Sequence, residues 1–98
     1  MRYRLSALAR GDLDDIWSYV ARHASAETAD TVIDRISDGF ALLARHPHCG
    51  RRREDIAPSV RSFPIGTYVV YYKAVAGAVV IARILHGSRD ATEAEEAK

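Results

Sequence analysis

Arg83, His86, Arg89 and Asp90 lie within the eight residues "RILHGSRD", where the apolar run from Val79 to Leu85 gives out. An imidazole exchanges protons near neutral pH. A guanidinium can grip a phosphate or a carboxylate with two parallel hydrogen bonds. Strand ends, where the chain leaves a sheet, commonly carry such groups. Together with Arg61 the set reads as an anion-facing cluster. An equally plain reading has Asp90 pair with an arginine and pin the chain end to the sheet, and residue types alone leave both open. A second cationic stretch, "GRRRED", sets Arg51, Arg52 and Arg53 directly after Gly50. It reads either as a solvated loop or as a contact for an anionic surface. A third, "HPHCG", offers His46, His48 and Cys49. A tetrahedral zinc site needs four ligands at spacings such as CxxC or HxxxH, and only His23 and His86 lie elsewhere. No metal and no cofactor are expected.

The elements that must position these groups follow from periodicity. "YRL" reads as a short first strand, and Ser6 can cap a helix. Apolar positions at Ala9, Leu13, Ile16, Trp17 and Val20 fall on one helical face, with Asp12, Asp14 and Asp15 opposite. Gly11 weakens the first turns by roughly 1 kcal/mol relative to alanine. Ser25 can cap a second helix with a stripe at Ala29, Val32, Ile33, Ile36, Phe40 and Leu43, and Pro47 stops it. The short link "HASA" makes the pair an antiparallel hairpin. Then the period changes. "VRSFPIG" is a strand limited by Pro64 to an edge or a bulge. "TYVVYYKAV" carries the strongest strand signal in the chain, and "AVVIARILH" follows a tight turn at Ala76-Gly77. The predicted architecture is α+β: a two-layer β-α-α-β-β-β domain, an antiparallel sheet with the helical hairpin on one face.

Alternate residues of a strand face opposite sides of its sheet. In the last strand Val80, Ala82 and Ile84 form one set, and Val79, Ile81, Arg83 and Leu85 the other. In the strand before it, both sets are also largely apolar. Two helices cover one face, and a half-solvated antiparallel sheet should alternate apolar with polar. The isolated chain is therefore expected to expose an apolar surface on the order of several hundred Å², the size that marks an interaction site. A curled sheet, a tail folded over it, or a homodimer are the other ways to cover that face.

The whole chain, residues 1–98, reads as one domain of soluble type, 48% apolar and 28% charged, with residues 92–98 as a flexible acidic tail. The net charge of +1 leaves +3 on the first 90 residues once the −2 of the last eight is set aside, which is modest for a dedicated nucleic-acid binder, so direct nucleic-acid binding is not expected. No run approaches the roughly 18 apolar residues of a membrane span, so no membrane association is expected. The charged start and the single cysteine predict a cytoplasmic protein without a signal peptide or a disulfide.

Five stretches in order carry a resemblance. Ala9, Asp12, Leu13, Ile16 and Tyr19 match A-x-x-D-L-x-x-I-x-x-Y in the first helix. Pro47, Gly50 and Arg51 match P-x-x-G-R; Arg61 and Ser62 match R-S; Tyr68 and Tyr72 match Y-x-x-x-Y; Arg83 to Asp90 match R-I-L-H-x-x-R-D. Over residues 3–90 the chain resembles ParE-like toxins of the RelE/ParE superfamily. The resemblance implies the toxin of a type II toxin–antitoxin, or plasmid stabilisation, system. It implies DNA gyrase as the target and a ParD-like antitoxin of the ribbon-helix-helix type as the neutralising partner. Such a toxin works by binding, with no catalytic residues of its own. Arg51, Arg52, Arg53, Arg61, Arg83, His86, Arg89 and Asp90 are then the candidate target contacts. Ile16, Trp17, Val20, Tyr71 and Leu85 are the candidate antitoxin contacts. The alternative is a ribosome-dependent mRNA endonuclease of the RelE type. RNA cleavage needs a base for the 2′-hydroxyl, a donor for the leaving oxygen and charge stabilisation at the phosphate. Tyr68 and Val69 stand where that branch would want a basic residue, and the residues after Arg89 are small and acidic.

Overall fold

The computed structural model describes residues 2–87. Its elements are β1 (Arg2–Leu5), α1 (Ala7–His23), α2 (Ala26–Arg45), β2 (Arg51–Arg52), β3 (Arg61–Ile65), β4 (Tyr68–Val75) and β5 (Ala78–His86). Both helices begin where the sequence places a cap. Ser6 Oγ accepts from the Ala9 N–H at 3.0 Å, and Ser25 Oγ from the Thr28 N–H at 3.0 Å. The hairpin is tied across by Trp17, whose Nε1–H donates to Asp30 Oδ1 at 2.9 Å. The β4–β5 turn places Gly77 at φ 79°, a conformation glycine adopts without steric cost.

The class is α+β, with two helices on a five-stranded sheet of order β1-β5-β4-β3-β2. The sheet is mixed. β1 pairs with β5 in parallel, Arg2 opposite Ala78 through Leu5 opposite Ile81, and the remaining pairings are antiparallel. β3 therefore runs parallel to β1, where an antiparallel arrangement had been expected. The cause is β2. The chain does reverse after α2, but it does so into these two arginines, and the segment 53–60 turns it back once more.

The helix-side core joins Ala9, Ile16, Ile36, Phe40 and Leu43 to Val70, Tyr72, Val79, Ile81 and Ile84. Strict alternation along β5 fails at one point. Tyr71 faces Arg83 but Tyr72 faces Ile81, so Ala82 is a bulged extra residue. The bulge switches the parity, which puts Val79, Ile81 and Ile84 on the helix side and Leu85 on the other.

The far face is also covered, by the chain itself. Ile56, Ala57 and Val60 fold over Tyr71 and Leu85, with Val69 packed alongside. Backbone bonds hold this cover in place, Arg53 N–H to Val60 O at 2.8 Å and Ile56 N–H to Arg53 O at 3.0 Å. The expectation of a broad apolar face awaiting a second chain is thereby corrected. The lid is the internal segment bearing Ile56, Ala57 and Val60; the expected acidic tail, 92–98, lies outside the described residues. Burying an isoleucine or valine there stabilises by roughly 1.5–3 kcal/mol each. Among the described residues no helix is long and apolar enough to cross a membrane.

Candidate functional site

The arginine-bearing segment after α2 is built on a buried phenol. Tyr72, in the middle of β4, donates its hydroxyl to Pro47 O at 2.9 Å and accepts the Gly50 N–H at 2.9 Å. Burial pushes the Tyr72 phenol above its ordinary pKa. A Cβ at residue 50 would collide with that hydroxyl and with the Ser62 carbonyl, which explains the glycine. Arg61 completes the anchor, its Nη1 donating to Gly50 O at 2.9 Å and His48 O at 3.2 Å. Pro47, Gly50 and Arg61 are thus parts of one clamp, and what the clamp presents is β2.

Arg51 and Arg52 are exposed on β2 at the sheet edge. Arg52 makes one long, exposed contact with Glu54, at 3.4 Å. Arg51 has no ion-pair partner among the described residues. Arg53 is held flatter. It grips Asp55 through Nε at 3.1 Å and Nη2 at 3.0 Å, and its guanidinium lies 5.9 Å from the Tyr71 ring centroid. The bond lowers the Asp55 carboxyl pKa and raises that of Arg53. Arg51, Arg53, Cys49, Phe63, Val69 and Tyr71 line a groove of about 600 Å³ on the far face. Val69 and Tyr71 give it apolar surface, no described lining residue is a carboxylate or an imidazole, and the Asp55 that pairs with Arg53 is not among the lining residues.

A second groove, about 730 Å³, lies between α1 and the ends of β4 and β5. Asp15, Tyr19, Arg22, Tyr68, Arg83 and His86 line it. Arg83 is turned onto α1, with Nε to Asp12 Oδ2 at 2.8 Å and Nη2 to Asp12 Oδ1 at 2.9 Å. His86 is exposed at the strand end, and the Tyr68 ring meets it edge-on at 5.7 Å. Burial raises the Tyr68 phenol pKa as well.

The candidate target contacts do not converge on one point. Arg51 and Arg53 share the far-face groove, with Arg52 beside them; Arg83 and His86 line the other. Arg61 is spent on backbone carbonyls and Arg83 on Asp12. Arg89 and Asp90 lie outside the described residues. Of the antitoxin candidates, Ile16, Tyr71 and Leu85 are buried in the two cores and Val20 is half-buried. Trp17 keeps 39% of its surface exposed, and Leu8 and Tyr19 on the same helix keep 48% and 54%. Asp12, part of the first-helix motif, is the residue to which sequence reasoning gave no role. Periodicity places it on the polar side of α1, but the structure turns it onto β5 with 11% of its side chain exposed, and nothing local marks its partner 71 positions away. Among the described residues no three metal-ligating side chains come together.

Residues 3–91 match the family described as ParE toxin of the type II toxin–antitoxin system parDE. The chain is 36% identical over 89 residues to Toxin ParE1 of Caulobacter vibrioides, covering 91% of this chain and 92% of that one. Its fold is similar to that of the chromosomal ParDE toxin–antitoxin system from P. aeruginosa. The TM-score is 0.77 at 20% identity, over 88% of this chain and 95% of that one. It is also similar to the toxin–antitoxin complex RelBE2 from Mycobacterium tuberculosis. There the TM-score is 0.60 at 27% identity, over 87% and 95% of the two chains.

Proposed function

This chain belongs to the ParE toxin family of type II toxin–antitoxin systems, and from that premise we propose that it inhibits DNA gyrase and is neutralised by a ParD-like antitoxin. The carrying observation is the far-face groove. Arg51 stands exposed beside Val69 and Tyr71 with no ion-pair partner among the described residues, and Arg53, paired with Asp55, lines the same groove. An exposed guanidinium beside apolar side chains, with a second one held next to it by Asp55, suits the recognition of an acidic protein surface. Neither guanidinium supplies the base that RNA cleavage requires. The antitoxin contacts the exposed apolar residues of α1, Leu8, Trp17 and Tyr19, while Ile16 and Val20 support them from beneath. Two of the similar structures are described as toxin–antitoxin systems or complexes, which supports a partner of this kind. The RelE-like match keeps an mRNA endonuclease as the rival reading.

Purified protein tests the two readings side by side, in a gyrase supercoiling assay and in a translation mixture with a reporter message. The proposal expects lost supercoiling and intact message. In Arg51→Ala/Arg53→Ala, inhibition should weaken at least about tenfold, equivalent to roughly 1.4 kcal/mol. Cut message with unaffected supercoiling would replace this reading with the endonuclease.

A further inference from the structure

β5 is longer than the strand that borders it. β1 ends at Leu5, opposite Ile81, whereas β5 runs on to His86. Beyond Ile81 the edge of β5 that faces β1 has no strand to pair with among the described residues, and unpaired edge groups need another partner. The gap opens at Ala82, where the bulge already breaks the ladder to β4. The start of α1 fills it with side chains. Ser6 Oγ donates to Ala82 O at 2.8 Å, and Asp12 Oδ2 accepts the Ile84 N–H at 2.9 Å. The same carboxylate takes the Arg83 guanidinium through two bonds. Side-chain exposure is 13% for Arg83 and 11% for Asp12, so the pair is largely out of water.

We infer that Asp12 is a positioning residue: it stands in for the missing length of β1 and fixes the register of residues 83–86, and with it the place of His86 at the strand end. A bulge bends and locally loosens a strand. Something must therefore choose one of several ways of continuing past it. A carboxylate that takes one backbone N–H and two prongs of a fork fits only one such register. Buried ion pairs contribute weakly to net stability but can select a single arrangement. The aspartate of the first-helix motif and the arginine of the last-strand motif are thereby two halves of one device. Only the growth readout below rests on the toxin reading; the exchange readout stands without it.

The test is residue-resolved amide exchange on the full chain, with growth arrest measured on the same variants. In Asp12→Ala the Ile84 amide should exchange about tenfold faster or more, while Ile81 and Tyr72 keep their native protection. The ring-current shift that Tyr68 imposes on His86 should shrink, and growth arrest should weaken. Asp12→Asn keeps the shape and one acceptor oxygen. It should show the same local pattern at smaller amplitude, and it serves if the alanine variant does not fold. Unchanged Ile84 exchange would overturn the inference, as would a uniform rise that includes Ile81. Loss of growth arrest with unaltered exchange would overturn it too, because Asp12 would then touch the target itself. A native protein that arrests no growth, yet whose alanine variant frees Ile84 alone, would sink the toxin reading and leave the positioning role intact.

Discussion

Tyr72 does two jobs with one hydroxyl, donating to Pro47 O and accepting from Gly50 N–H. Tyr72→Phe removes both bonds and leaves a buried amide short of a partner. Stability should fall by about 1–3 kcal/mol, read from a denaturant midpoint. The phenol also sets an alkaline limit. Burial raises its pKa, so the neutral form is favoured in the folded state. That contribution is complete below the ordinary phenol value of about 10 and is lost as pH climbs through the raised one. Native protein should accordingly lose stability at high pH more steeply than Tyr72→Phe does, in paired denaturation curves across that range. Gly50 faces the same hydroxyl at too close a range for any side chain. At this scale the sequence marked the right residue types without their partners. Arg61 and Arg83 read as anion-facing because guanidiniums seek anions. Arg83 does hold an anion, a carboxylate 71 positions distant, whereas Arg61 holds two loop carbonyls. Separations of that length leave no local trace.

Helix ends and strand cores were legible because their causes are local. Serine caps, apolar spacing and the dense aromatic run at 67–75 each act over a few residues. Gly11 lies inside α1, where a Cβ would meet nothing within 4 Å. Gly11→Ala should thus stabilise by roughly 1 kcal/mol, visible as a higher thermal midpoint. Two features escaped because their causes are not local. β2 is only two arginines long and exists through its pairing with Arg61 and Ser62. The lid has no period, since Ile56, Ala57 and Val60 straddle Pro58 and become a core only by meeting Tyr71 and Leu85. Ile56→Ala should cost about 2–5 kcal/mol and expose the far face to a hydrophobic dye. A variant that stays as stable and as dye-free as the native chain would show that the lid does not seal that face.

Over the whole molecule, the two helices close one side of the sheet and the segment 53–60 closes much of the other. The chain buries its own core and does not need a partner's lid to do so. What it leaves outside includes Leu8, Trp17 and Tyr19 along α1, Tyr3 and Val75 on the sheet, and Arg51 at the far-face groove. On the proposed reading the α1 surface serves restraint by an antitoxin and the groove serves action, and the two lie on different elements. The most direct measurement is made in one culture after induced expression, following growth, plasmid topology and message integrity together. The account predicts that growth stops, that extracted plasmid loses negative supercoiling and carries breaks, and that messages stay whole. Arrested growth with unchanged plasmid and cleaved messages, or uninterrupted growth, would contradict it.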